Sequence, residues 1–205
     1  MNALVTTDIV RYAHLLAIAL GLGASIMADL QILGRVDQRI TQDLIKRLKH
    51  YHTLVWVGLF AMWATGMAMI YLRTGFEVAN FSPKLFSKLA IVSMLTLNAI
   101  LIGRIAMPML ERSLGLRLVD LPLRRKLSGA WVASVSSASW LLALALGESK
   151  VLAASDWSVF LRLLPLSYVA SLTAATVLVF SLHGLSGMSR RSGRAELVPI
   201  RKSRR

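Results

Sequence analysis

Five continuous apolar runs, at about residues 9–33, 53–72, 85–110, 127–146 and 159–182, constrain this chain more than any other feature. A helix needs about 20 predominantly apolar residues to cross a bilayer, and each run is long enough. The runs are unbroken rather than alternating, which is the pattern of helices and not of a β-barrel. In lipid a helix satisfies its own backbone hydrogen bonds. The expectation is an all-α, polytopic bundle of about five transmembrane helices over residues 1–183. A basic tail follows at 184–205, rich in Gly, Ser and Arg and too poor in apolar residues to offset the entropy of ordering. Asp8 stands ahead of the first run and no basic stretch precedes it, so the run reads as a retained span rather than a cleaved signal.

A net charge of +14 in 205 residues raises the question of nucleic acid, and the placement of the charges answers it. Arg35, Arg39, Lys46, Arg47 and Lys49 fall between the first two runs. Arg112, Arg117, Arg124, Arg125 and Lys126 fall between the third and fourth, with Arg104 just inside the third. Arg190, Arg191, Arg194, Arg201, Lys202, Arg204 and Arg205 fall in the tail. Those eighteen belong to one side of a five-span chain, against Arg11, Arg73, Lys84, Lys88, Lys150 and Arg162 on the other. Cytoplasmic loops carry the excess of Lys and Arg, so the N-terminus is expected outside and the C-terminus in the cytoplasm. The expected partners are the lipid bilayer and its anionic headgroups, with no nucleic acid. Between Asp37 and Lys49, the spacing of Ile40, Leu44, Ile45 and Leu48 predicts an amphipathic segment at the inner interface, or an extension of a neighbouring span.

Ionisable groups inside a span are costly and mark candidate sites. His14, Ile18, Gly21, Ser25 and Asp29 follow at helical spacings, within roughly an 80° arc, and that stripe must face protein. His14 is placed about 7 Å below the outer surface and Asp29 near the inner one, at about 1.5 Å of rise per residue. On the third helix Lys84, Lys88 and Asn98 share a face, with Lys88 at the depth of His14. His14 and Lys88 facing each other would suit an anionic or porphyrin group; snorkelling of the lysines is the competing reading.

At the inner side Asp29, Arg104, His50 and His52 are candidates to converge. An Asp29–Arg104 ion pair is the favoured structural reading, and a proton relay through an unpaired Asp29 the functional one. His183, near the inner end of the fifth span, reads as an interfacial residue. Met62, Met67, Met69, Met107 and Met109 raise Cu(I), although irregular spacing favours packing. Gly129, Ala133 and Ser137 form a small-xxx-small row that reads as close helix packing. The absence of cysteine excludes disulfides, thiolate metal sites and iron–sulfur clusters.

The chain resembles small multi-pass proteins of the copper-resistance D (CopD-like) group and the related HemJ-type protoporphyrinogen oxidases. The resemblance covers about the first 110 residues. It is carried by Tyr12-Ala13-His14-Leu15-Leu16, by Thr65-Gly66, and by the third-span start from Lys84 to Leu89 followed by Arg104. It implies haem b in the bundle, with His14 as ligand and Lys88 as the essential lysine, the candidate catalytic residue, near a propionate or substrate carboxylate. Where those proteins offer another third-helix histidine, this chain has Asn98 and Ala99. The leading expectation is thus a bacterial inner-membrane protein binding haem b or another tetrapyrrole, for electron transfer or porphyrin oxidation. Membrane transport of copper or a small solute is the alternative. A third reading is a non-catalytic membrane subunit that docks membrane-protein partners, or a second copy, through the small-residue row.

Overall fold

The computed structural model describes residues 3–195, with side chains for residues 5–183 apart from Ala153. Its helices are α1 (Ala3–Leu33), α2 (Gln42–Thr74), α3 (Pro83–Leu101), α4 (Met107–Glu111), α5 (Leu123–Glu148) and α6 (Trp157–Ala195). A π-helical turn, Ile102–Ala106, joins α3 to α4, so these three form one long rod. Five helices are long and apolar enough to cross a membrane: Val5–Leu33, Gln42–Thr74, Pro83–Glu111, Leu123–Glu148 and Trp157–His183. They coincide with the five apolar runs, and by helix length and hydropathy the chain is a multi-pass membrane protein. The expected mobile tail at 184–205 falls on residues whose side chains, and from 196 onward whose backbone, lie outside those described.

Local chemistry sets the helix ends. Thr41 caps α2, its Oγ1 accepting from the Leu44 N–H at 3.2 Å. Gly75, at φ 60°, ends α2 by donating its N–H to Tyr71 O at 2.9 Å, in a left-handed conformation that glycine tolerates best. Pro83 occupies the first turn of α3 behind the Ser82 cap, where its missing donor costs nothing. Across the bundle, Lys84 Nζ donates to Ser149 O at 2.7 Å, tying the start of α3 to the end of α5.

The helix α1 packs along α2, while α5 touches α1, α3 and α6 and so forms the centre. The tightest approach is at Gly21 and Gly58. A Cβ on Gly58 would lie 2.8 Å from the Gly21 Cα and 3.0 Å from Ala17 O. A Cβ on Gly21 would lie 2.6 Å from Trp140 Cζ2 of α5. Around this point Ala17, Ile18, Ala24, Val55, Leu59, Met62, Leu95, Ala99 and Trp140 form a packed layer.

A second cluster closes the basic end. Ile40, Leu44, Ile45 and Leu48 pack against Leu110 and Leu121. The amphipathic segment is therefore the first turns of α2 and its approach, and its apolar face is buried on protein instead of resting at a lipid interface. The reason is the pairing of the two basic connections: Ile40 N–H donates to Leu116 O at 2.8 Å, and Gly115 N–H to Ile40 O at 2.9 Å. This lays the 112–122 connection over Ile40.

Overpacking a well-filled helix crossing costs about 1–3 kcal/mol. Gly58→Ala should accordingly lower the unfolding midpoint in detergent, whereas Gly147→Ala, with open space around its Cα, should not.

Candidate functional site

Polar side chains inside the bundle gather at two levels, one on each side of the Gly21–Gly58–Trp140 layer. Toward the sparsely charged end, His14 Nδ1 lies 2.8 Å from Thr65 Oγ1. Thr65 Oγ1 is also 2.6 Å from Ala61 O, a carbonyl that can only accept. The hydroxyl has one proton, so donating it to Ala61 leaves Thr65 to accept from His14 Nδ1–H. Neutral His14 then carries its lone pair on Nε2. Lys88 is half-buried and within electrostatic reach of His14, and also of Arg11, Arg73, Lys84 and Glu148. Lys84 is not a free snorkelling lysine, since it caps α5.

Toward the basic end the helices line a partly open cavity of about 510 Å³. Its wall is chiefly apolar, and all five spans contribute. Val55, Leu95 and Ala99 belong both to this wall and to the packed layer, so the cavity stops against that layer. Asp29 is the one carboxylate on the wall; Ser25, Ser134, Ser136, Ser137, Ser171 and His52 add polar groups, with Arg125 and Lys126.

Ser137 Oγ lies 3.0 Å from Asp29 Oδ2 and 3.2 Å from Ala133 O. One turn along α1, Ser25 Oγ meets Ser136 Oγ at 3.2 Å. The stripe read on the first helix therefore does face protein: His14 meets α2, Gly21 meets α2 and α5, and Ser25 and Asp29 meet α5.

The expected Asp29–Arg104 pair does not form. Arg104 lies on the helix face opposite Lys88 and is exposed in the π-helical turn, and Asp29 takes a serine hydroxyl instead. The ion pairs among the described residues are Arg47–Asp43, Lys49–Glu111 and Arg117–Asp120, all at the basic end and substantially exposed. Asn98, 3% exposed, donates from Nδ2 to Val132 O at 3.0 Å and so serves to bind α3 to α5. His52 Nε2 accepts from Trp56 Nε1 at 3.1 Å, which uses the lone pair a metal would need, and a Cβ on Gly103 would lie 3.2 Å from the same nitrogen. His50 is exposed beside Tyr51.

Lys126 Nζ donates to Val119 O at 2.6 Å and to His183 Nδ1 at 3.1 Å, giving His183 a helix-tethering role. The methionines are dispersed: Met62 is in the packed layer, Met107 packs on the basic-end cluster, and Met67 is exposed. Among the described residues no group of three or more His, Asp or Glu is placed to hold a metal. The row Gly129, Ala133 and Ser137, read as a packing face, lines the cavity instead. Small side chains that permit close approach equally leave room when no partner helix fills it.

Other polar side chains join the helices. Ser139 Oγ pairs with Tyr168 Oη at 2.9 Å, Ser171 Oγ donates to Ser134 O at 2.9 Å, and Trp131 Nε1 donates to Thr176 Oγ1 at 2.9 Å. Reading the sequence missed this use of the Ser134-Val135-Ser136-Ser137-Ala138-Ser139 stretch, although four hydroxyls in six residues of an apolar span were a visible signal.

The fold and these two levels define a class: a multi-pass helical membrane protein with a one-sided intramembrane cavity. No family model matches the chain, and no curated protein or solved structure does either.

Proposed function

We propose that the protein binds an amphipathic small molecule within the membrane, in the cavity between α1, α2, α5, α6 and the α3–α4 rod. The observation that carries this reading is Asp29 on the wall of an otherwise apolar space of about 510 Å³. Small-molecule sites are typically about 300–1,000 Å³, mostly apolar, with a few polar groups that fix orientation. Here Ala99, Ala106, Ala130, Ala133 and Leu178 offer surface for an apolar body, while Asp29 and Ser137 offer the polar anchor. The packed layer bounds the cavity toward the sparsely charged end, and Leu48, Leu110 and Leu121 of the second cluster bound it toward the basic connections, so the ligand would lie in the basic half of the bundle. The positive-inside rule assigns that side to the cytoplasm, in a bacterial inner membrane. Binding of this kind suits transport of a small solute or its delivery to a membrane partner.

The absence of native cysteine makes the test direct. In inverted membrane vesicles, Ala133→Cys should react with a water-soluble maleimide several-fold faster than Ser139→Cys, which is fully buried against Tyr168. Equal rates at the two positions would refute the cavity reading.

A second reading, tetrapyrrole binding, is favoured by one observation. The Thr65 hydroxyl directs the His14 proton to Nδ1, and a metal-ligating histidine characteristically donates its other ring N–H in this way. Lys88 and the cations near it would then face the propionates. Haem supplies a redox centre when bound; this chain's residues supply an oriented ligand and a basic surround. The fit is incomplete, because neither His14 nor Lys88 lines the 510 Å³ cavity and Asn98 is committed to Val132. The optical spectrum of the purified, haem-supplemented protein tests it: a Soret band lost in His14→Ala supports the reading, and no band in the wild type ends it.

A further inference from the structure

The single carboxylate on the cavity wall points to the charge of what binds there. Asp29 has no ionic partner among the described residues, and the only polar contact recorded for it is the Ser137 hydroxyl. Of the charged and titratable groups on the elements around it, His52 on α2 and Arg125 and Lys126 on α5 share the cavity wall, while Arg104 in the π-helical turn and His183 on α6 stand outside it. His52 is held by Trp56, Lys126 by Val119 and His183, and Arg104 and Arg125 are exposed. Arg125 and Lys126 lie eleven or more residues along α5 from Ser137, a separation of about 16–18 Å at about 1.5 Å per residue, so neither neutralises the carboxylate directly.

A carboxylate in an apolar cavity needs a proton or a cation. The Ser137 hydroxyl accommodates both conditions without moving the backbone. When Asp29 is ionised, Ser137 donates its proton to Oδ2. When Asp29 is protonated, the carboxyl donates to Ser137 Oγ, and the serine proton turns to Ala133 O, 3.2 Å away. The second carboxylate oxygen has no recorded partner in either arrangement and is the atom available to a ligand.

We infer that the cavity selects lipophilic organic cations carrying an N–H group, and that the cation and a proton compete for Asp29. The inference rests on the cavity reading above and deepens it, naming the class of ligand and coupling its binding to protonation. The Asp29 O–H proton passes to solvent water as the ammonium or iminium N–H takes its place, so one proton is released for each cation bound and no other bond is broken. The ligand's apolar body occupies the alanine- and leucine-lined space.

The test uses purified full-length protein in nanodiscs and two fluorescent fused-ring probes, cationic rhodamine 6G and the smaller, uncharged Nile red. The signal for each is its difference from Ala133→Trp, which places a large side chain in the cavity one helical turn from Ser137. Rhodamine 6G should bind the wild type at pH 8, and its apparent Kd should rise about tenfold per pH unit once Asp29 is mostly protonated, as single-proton competition requires. Asp29→Asn should lose rhodamine 6G and keep Nile red, whereas Asp29→Glu should retain the cation. Rhodamine 6G binding that is independent of pH and unchanged in Asp29→Asn, with Nile red bound equally, overturns the cation inference and leaves the cavity reading standing. Failure of both probes to bind the wild type overturns both.

Discussion

The bundle is organised by one close approach, in which two glycines let three helices meet. With no side chain at Gly21, the Trp140 indole lies on the α1 backbone, and with none at Gly58, α2 comes to within van der Waals distance of the same turn. Dispersion at this density is the main attraction available between helices in lipid, where the hydrophobic effect no longer favours one apolar surface over another. The crossing has a cost, since Trp140 is fully buried and its Nε1–H has no hydrogen-bond partner among the described residues. That costs about 1–3 kcal/mol, which the packing must exceed.

The consequences run in both directions along the bundle. On one side the layer separates His14, Thr65 and Lys88 from Asp29 and the serines that line the cavity. On the other, α1 and α5 remain linked by Ser25–Ser136 and Asp29–Ser137, while the small residues of α5 leave the space between them and α6 unfilled. Serine contacts also bind α5 to α6, so the cavity has walls held by hydrogen bonds and not by packing alone. A carboxylate is tolerated there because it has a hydroxyl partner and faces a cavity instead of packed side chains.

How much of this was legible in the sequence differs by level. The five spans were, because 18 or more apolar residues in succession have one dominant solution in a chain of this kind. The protein-facing stripe from His14 to Asp29 was also legible, since a costly polar residue cannot face lipid. Which partner each residue meets was not. The Asp29–Arg104 pairing needed a particular rotation of the third helix, because Arg104 lies on the face opposite Lys88, and the rotation of one apolar helix against another is not written in its own residues. Gly129, Ala133 and Ser137 look the same in sequence whether a helix packs on them or a cavity opens beside them, and only the positions of α1 and α6 decide. His52 was a candidate to join Asp29 at the inner side, and it does share the cavity wall with Asp29, but Trp56, one turn along its own helix, holds its nitrogen.

The most direct measurement of the arrangement is a cross-link between α1 and α5 immediately on the cavity side of the glycine crossing. Ser25 and Ser136 present their hydroxyl oxygens 3.2 Å apart, and cysteine is nearly isosteric with serine. In native membranes the Ser25→Cys/Ser136→Cys protein should form an intramolecular disulfide on mild oxidation, read as a linked band after cleavage between α1 and α5. A double variant that is folded and membrane-inserted yet yields no such link would show that α1 and α5 do not meet there, and the crossing, the cavity and the placement of Asp29 would fall together.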